Sequence, residues 1–253
     1  MIKHISCVII VKNAQNTIEK VLNSLKEFDD VVVYDNGSTD KTLQIVKSFD
    51  NINLVEGEFK GFGWTKNKAV SFAKNDWIFS LDADEVLSKS FIDNIKKIDL
   101  NENIIYSINR INFYKNTKIK YCWANDIIPR IFNKNLTSFT QDKVHEKIIN
   151  DNFKNLIISG NVKHYPYSNI SEFIQKADNY STLFAQNNKG KKSSSPLKAS
   201  LNGIYSFIKT YFFKRGFLDG YTGLVIAFSH MVTNFYKYIK LYELNEELKN
   251  NFK

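Results

Sequence analysis

The chain has 253 residues, 43% of them apolar, which is enough for a packed core and excludes wholesale disorder. Only 10 Gly and 3 Pro exclude a collagen-like or linker-dominated chain, and Cys7 and Cys122, without CxxC spacing, argue against a disulfide scaffold or a cysteine zinc site and fit a reducing compartment. The net charge of +9 is unevenly spread: from Asn187 onward 11 basic residues face 4 acidic ones, which leaves the first 186 residues at +2 and gives the tail a character that suits nucleic acid, an anionic membrane or a solvated face.

In chain order, residues 5–11 are a nearly continuous apolar run, as in a strand buried on both faces. The run ends at Lys12 and lacks the length and cleavage pattern of a signal peptide. Ile18, Val21, Leu22 and Leu25 predict a helix over 16–28. A strand at 30–34 ends in the loop Asp35-Asn36-Gly37-Ser38-Thr39-Asp40, followed by a short helix around Leu43 and Val46 and a brief strand near 53–55. A helix over 64–74 leads to a strand at 77–81, and Ser88 is placed to cap the next helix. Such repeated β-α-β units predict an α/β fold with a mostly parallel, doubly wound sheet. Segments 104–114, 127–132 and 156–164 then read as strands without intervening helices, which predicts an antiparallel extension. Beyond Ser168 the pattern is helical, with a polar, basic hinge at 189–195 and aromatic-rich helical stretches at 197–213 and 222–244. The expected organisation is a catalytic domain over 1–187, in halves of about 1–100 and 101–187, and a basic helical tail over 188–253.

Asp82 and Asp84 are the most informative pair. If the strand stays extended, side chains at i and i+2 point the same way and two carboxylates stand at the carboxyl edge of the sheet, where open α/β sheets bind ligands. Their repulsion calls for a cation between them, and hard oxygen ligands favour Mg2+ or Mn2+. The alternative is an acidic loop beside a helix start. Asp35 ends the preceding strand at the same edge and either accepts from a base or ribose or builds an Asx-turn. Gly61, Gly63, Lys66 and Lys68 open a helix where backbone and ammonium groups can meet a diphosphate; taken singly they read as turn and surface residues.

Four motifs in order, residues 8–13, 33–42 (Val-Tyr-Asp-Asn-Gly-Ser-Thr-Asp-Lys-Thr), 65–69 and Leu81-Asp82-Ala83-Asp84-Glu85, resemble family 2 glycosyltransferases with the GT-A fold over about residues 3–100. Gly61-Phe62-Gly63-Trp64, Val144-His145-Glu146-Lys147 and Lys214-Arg215-Gly216-Phe217-Leu218-Asp219-Gly220 are similar to the lipopolysaccharide inner-core β-1,4-glucosyltransferases of that family. The resemblance implies a GT-A, Rossmann-like sheet with a C-terminal helical appendage and an inverting transfer from a UDP-sugar, with glucose as the donor sugar favoured by the resemblance alone. It implies that Asp35 reads the uracil-like base, that Val11 and Asn13 line the nucleotide pocket, that Asp84 is the main metal ligand, and that Asp82 lies near ribose or metal. Lys66-Asn67 stands where relatives often carry Arg-Asn, which keeps the charge and loses the planar fork.

Inversion needs a general base opposite the leaving group. Glu146 is the expected base, with Asp142 as the alternative. His145 meets the metal or the diphosphate, or is a packed structural histidine; Arg130 meets a phosphate or forms an ion pair. Residues 220–236 carry no Lys, Arg, Asp or Glu, yet Ser229, His230, Thr233 and Asn234 argue against a spanning helix. The tail lies on anionic lipid, packs on the catalytic domain, or forms a homodimer interface, and the lipid-linked acceptor implied by the resemblance favours the first. The expected location is therefore cytoplasmic, peripheral on the inner membrane. Other acceptors (a capsule glycan or a peptide) stay open. A nucleic-acid-binding protein is the rival class, but no zinc spacing or RNP-like motif supports a nucleic-acid partner.

Overall fold

The computed structural model describes residues 1–124, 126–142 and 146–251. The chain divides into two compact units, Met1–Ile111 with Asn125–Tyr165, and Asn112–Ala124 with Pro166–Lys253.

The first unit is built on a sheet in the order β3-β2-β1-β4-β8-β6-β9-β5. Strands β1 (Ile5–Val11), β2 (Val31–Asp35), β3 (Ile52–Glu56) and β4 (Trp77–Asp82) are mutually parallel. Helices α1 (Ile18–Ser24), α2 (Thr42–Val46) and α3 (Phe62–Val70) connect them, the β-α-β alternation expected from the sequence. Every residue of β1 but Ile10 is buried, because β1 has parallel neighbours on both sides and packing on both faces. One side of the sheet packs Ile9, Leu22, Phe28, Phe79 and Phe91; the other packs Val8, Tyr34, Ile78 and Phe132. The antiparallel extension also forms: β8 (Asp126–Asn133) pairs with β4 and with β6 (Ile104–Tyr114). Strand β9 (Lys154–Tyr167) pairs with β5 (Glu85–Leu87). Helix α4 (Lys89–Ile95) is capped by Ser88, whose hydroxyl accepts from Phe91 N–H at 3.2 Å.

The second unit is mainly helical. Asn169 caps α5 (Ile170–Asn188), and Glu172 reaches back to Ser168 N–H, a reciprocal cap. Ser195 caps α6 (Pro196–Ile208), with Pro196 in the first turn, where its missing N–H costs nothing. The 197–213 stretch does not stay α-helical: it loosens into a π-helical turn at Lys209–Phe213 before a 3-10 turn at Gly216–Asp219 and α7 (Gly220–Asn251). Its core joins Tyr114, Ile119, Cys122, Phe173 and Ile226. The short strand β7 (Thr117–Lys118) pairs with the end of β6. Both Asp219 carboxylate oxygens accept backbone N–H groups, from Lys120 at 2.8 Å and from Tyr121 and Cys122 at 3.1 and 3.0 Å. A Cβ at Gly223 would stand 1.8 Å from the Gly216 carbonyl oxygen, so the Gly216–Gly223 stretch is sterically committed. No helix among the described residues is long and apolar enough to cross a membrane.

Candidate active site at the strand edge

Register places the site. Val11 pairs with Asp35 across β1 and β2, and Ile10 pairs with Asp82 across β1 and β4, so the carboxyl ends of three adjacent parallel strands carry Val11, Asp35 and Asp82 together.

Asp35 does two things at once. Its Oδ2 accepts Gly37 and Ser38 N–H, both at 3.0 Å, which is the Asx-turn. Its Oδ1 is buried and has no hydrogen-bond partner among the described residues, as is Asn36 Oδ1. A buried acceptor left unmade costs about 1–3 kcal/mol, so this one is poised for a donor from outside the chain. Asn13, in the left-handed region at φ 52°, locks the same loop: its Oδ1 accepts Thr39 N–H at 2.8 Å, and its own N–H donates to Ser38 Oγ at 2.9 Å.

The Asp82–Glu85 segment differs from the extended arrangement expected. Strand β4 ends at Asp82, Ala83 and Asp84 turn, and Glu85 begins β5. Asp82 N–H donates to Glu85 Oε2 at 3.1 Å and closes the turn, so Asp82 and Asp84 go to different partners. The Asp82 carboxylate is gripped by Arg130, with Lys66 Nζ 3.5 Å away. Asp84 Oδ2 lies 3.5 Å from His164 Nε2.

Beneath Asp82 is a buried ionic network. Glu85, with no exposed surface, accepts from Arg130 at 2.6 Å and from Arg110 at 3.1 Å, and Arg110 also grips Asp126. Burial pushes the Asp82 carboxyl up, but the charges of Arg130 and Lys66 outweigh it and hold it far below the usual range. Burial raises Glu85, and the Asp82 charge adds to that against the arginines. Arg130 is therefore a buried ion-pair residue whose Nε has no partner among the described residues. Sequence reading missed Glu85, Arg110, Asp126 and His164 as members of this cluster. A signal was present: each charge interrupts or bounds an apolar strand, and Arg110 stands opposite Asp126 in the β6–β8 register.

Glu146 reaches the site from a loop pinned by the Phe139–Ile148 bridge and by Thr140 N–H to the Lys147 carbonyl at 2.8 Å. Its carboxylate meets Lys66 Nζ at 2.7 Å. Lys66 thus stands between Glu146 and Asp82, with its ammonium 5.3 Å from the Phe139 ring centroid. Asn67 fixes that ring, since its amide oxygen accepts Phe139 N–H and its amide nitrogen donates to the Phe139 carbonyl, each at 2.9 Å. Gly63 lets the loop close on α3: a Cβ there would lie 1.9 Å from the Thr140 carbonyl oxygen. Asp142 is exposed; its Oδ2 accepts from the Thr140 hydroxyl at 2.8 Å, which turns it to its own loop. His145 lies outside the described residues.

For a divalent ion, the donor chemistry fits in part. A carboxylate oxygen from Asp84 and an imidazole nitrogen from His164 are ligands that Mn2+ or Mg2+ accepts, with the remaining positions left to waters and phosphate oxygens. Asp82 is committed to cationic side chains. No group of three or more His, Cys, Asp or Glu side chains that could hold a metal is found among the described residues.

The carboxyl ends of β1, β2 and β4 thus bring Val11, Asp35 and Asp82 to one edge of an open α/β sheet, where such sheets bind ligands. The family model described as glycosyl transferase family 2 matches residues 6–159. An uncharacterized glycosyltransferase of Rickettsia bellii is 32% identical over 96% of this chain and 87% of its own length. The chain belongs to glycosyl transferase family 2. It is also similar to the lipopolysaccharide core biosynthesis glycosyltransferase LpsC of Rhizobium meliloti, 26% identical over 88% of this chain and 89% of that protein. Among solved structures, S. aureus TarS aligns with a TM-score of 0.48 and 16% identity over 88% of this chain and 54% of that one.

Proposed function

We propose that this glycosyltransferase moves a hexose, glucose, from a UDP-sugar to a lipid-linked inner-core glycan of the lipopolysaccharide type, with inversion at the anomeric carbon. The observation that carries the reading is the buried Asp35 Oδ1, without a hydrogen-bond partner among the described residues, at the strand edge where Asp82 meets Lys66 of α3 and Lys66 in turn meets Glu146. An imide N–H of uracil is a donor that this oxygen lacks. Val11 and Asn13 form the wall and loop beside it. The name of the Rhizobium meliloti relative supports the acceptor class.

In this reading Glu146 takes the proton from the attacking acceptor hydroxyl as the new glycosidic bond forms and the bond to the departing diphosphate breaks. Its contact with Lys66 Nζ at 2.7 Å holds the carboxylate at the site. Lys66 would supply positive charge to the departing phosphates, and Asn67, by bonding the Phe139 backbone, holds the ring that the Lys66 ammonium faces. Arg130 works indirectly, by fixing the orientation of Asp82 towards the ribose side. Asp84 and His164 would hold a Mg2+ or Mn2+ ion, which supplies positive charge to the leaving diphosphate when bound. Most of the remaining rate comes from holding donor and acceptor in line. A lipid-linked acceptor calls for an enzyme at the cytoplasmic membrane surface.

The test is transfer from UDP-glucose, UDP-galactose, UDP-N-acetylglucosamine or ADP-heptose to deacylated inner-core oligosaccharide, followed by mass spectrometry and NMR. The expected product is heavier by one hexose residue, from UDP-glucose, with the opposite anomeric configuration. Retained configuration, or no hexose transfer from any UDP-sugar, overturns the reading.

A further inference from the structure

Helix α6 is packed inside out. Its large apolar residues Leu197, Leu201, Ile204, Tyr205 and Ile208, spaced as one helical face, are all exposed, with Leu197 at 70%. Its small and polar residues face α7. Ala199 and Gly203 are buried, and a Cβ on Gly203 would lie 3.2 Å from the Met231 carbonyl oxygen. Asn234 donates to Ser206 Oγ at 2.7 Å, and Thr210 Oγ1 bonds His230 Nδ1 at 2.9 Å. Small residues and paired polar groups between helices, with apolar side chains outside, is how helices pack in an apolar medium; a helix facing water does the reverse. The face continues through Phe212, Phe213 (76% exposed), Phe217, Tyr221 and Phe228. An apolar surface of this kind on a water-soluble protein marks an interaction site.

Charge selects the occupant. Across residues 196–236 the sole acidic residue is Asp219, and both its carboxylate oxygens are occupied by backbone N–H groups. The exposed Lys209, Lys214 and Arg215 lie along the same stretch. In a two-fold dimer built on this face, these cations would oppose their own copies. A sheet of anionic head groups would neutralise them.

We infer that the outer face of α6, the turns after it and the start of α7 dock on an anionic phospholipid bilayer, lying in its interface without spanning it. The purpose of such docking rests on the lipid-linked acceptor proposed above; its structural grounds do not.

The test is sedimentation of the intact protein with vesicles of phosphatidylcholine alone or mixed with phosphatidylglycerol. The mixed vesicles should bind at least about tenfold more protein, and added salt should reduce binding. The triple variant Leu201→Ser, Ile204→Ser, Phe213→Ser should lose at least about tenfold in vesicle binding while keeping its thermal midpoint and its turnover on deacylated, water-soluble acceptor. Absence of binding to anionic vesicles at low salt overturns the inference, and so does unchanged binding by the folded variant. A wild-type dimer that the triple substitution converts to monomer assigns the face to a second copy and also overturns it. If wild-type protein binds vesicles but transfers no sugar, the docking stands and the proposed reaction falls.

Discussion

In the sheet-bearing unit the unusual residues are charges inside; in the helical unit they are apolar side chains outside. Glu85, Arg130 and most of Arg110 are withdrawn from water beneath the strand ends, whereas Leu197 and Phe213 stand out in solvent. Both arrangements run against simple burial energetics, but in opposite senses. A buried ionic network costs desolvation and holds only while every partner is present, so it fixes geometry more than it adds stability. An exposed apolar face costs little structurally and contributes only when something covers it. The first is what a reaction centre needs, and the second is what a docking surface needs.

The contrast can be broken by substitution. The largest effect is expected at Asp84: Asp84→Ala should lower sugar transfer on the order of 10³-fold, measured by release of nucleoside diphosphate, with an unchanged circular dichroism spectrum. Full activity would remove Asp84 from the proposed metal-holding role. Glu146→Gln should lower turnover about 10²–10⁴-fold while donor binding, followed by calorimetry, is kept. Unchanged turnover would move the base elsewhere. Glu85→Gln leaves two guanidinium groups short of their countercharge, and denaturant unfolding should show a loss of about 3–5 kcal/mol. A near-neutral result would mean that the network relaxes easily.

In the helical unit, burial first, then the charges of Lys214 and Lys237, lower the His230 pKa to about 4 from an ordinary 6.5. The unfolded chain therefore takes up this proton at higher pH than the fold does. The His230 contribution is fully present above about pH 6.5 and is lost as pH falls towards 4, by up to about 3 kcal/mol. Thermal midpoints of the wild type and His230→Gln, compared from pH 7 to 4, should converge towards acid; parallel curves would contradict the assignment. The smallest effect belongs to the outer face, where Ile204→Ser in water should change stability by less than about 0.5 kcal/mol. A large loss would show that this face is already covered.

How much of this could be read from sequence follows from the range of the forces. The run 5–11 and the strand 104–114 were legible because burial on both faces, or alternation, leaves a local pattern. Ser88 was legible as a cap because its partner Phe91 is three residues on. Asp35 and Asp82 were legible as strand-edge residues because a parallel sheet presents its carboxyl ends together. The fate of Asp84 was not: the turn that separates it from Asp82 depends on the Glu85 carboxylate accepting Asp82 N–H, and its neighbour His164 arrives from β9, 80 positions away in sequence. The arginine network hid for the same reason, since Arg110 and Arg130 meet Glu85 only after β6 and β8 have paired. In the tail, composition announced an aromatic, basic helix pair, but only the packing revealed that α6 turns its small residues inward.

The most direct test of the central claim, that Asp84 beside the strand edge helps hold a divalent ion that binds a nucleoside diphosphate, is calorimetric titration of UDP into wild type and Asp84→Ala, each with and without Mn2+. Wild-type affinity should rise at least about tenfold with Mn2+, and the variant should bind UDP weakly and equally in both conditions. An identical Mn2+ enhancement in the variant would contradict the account.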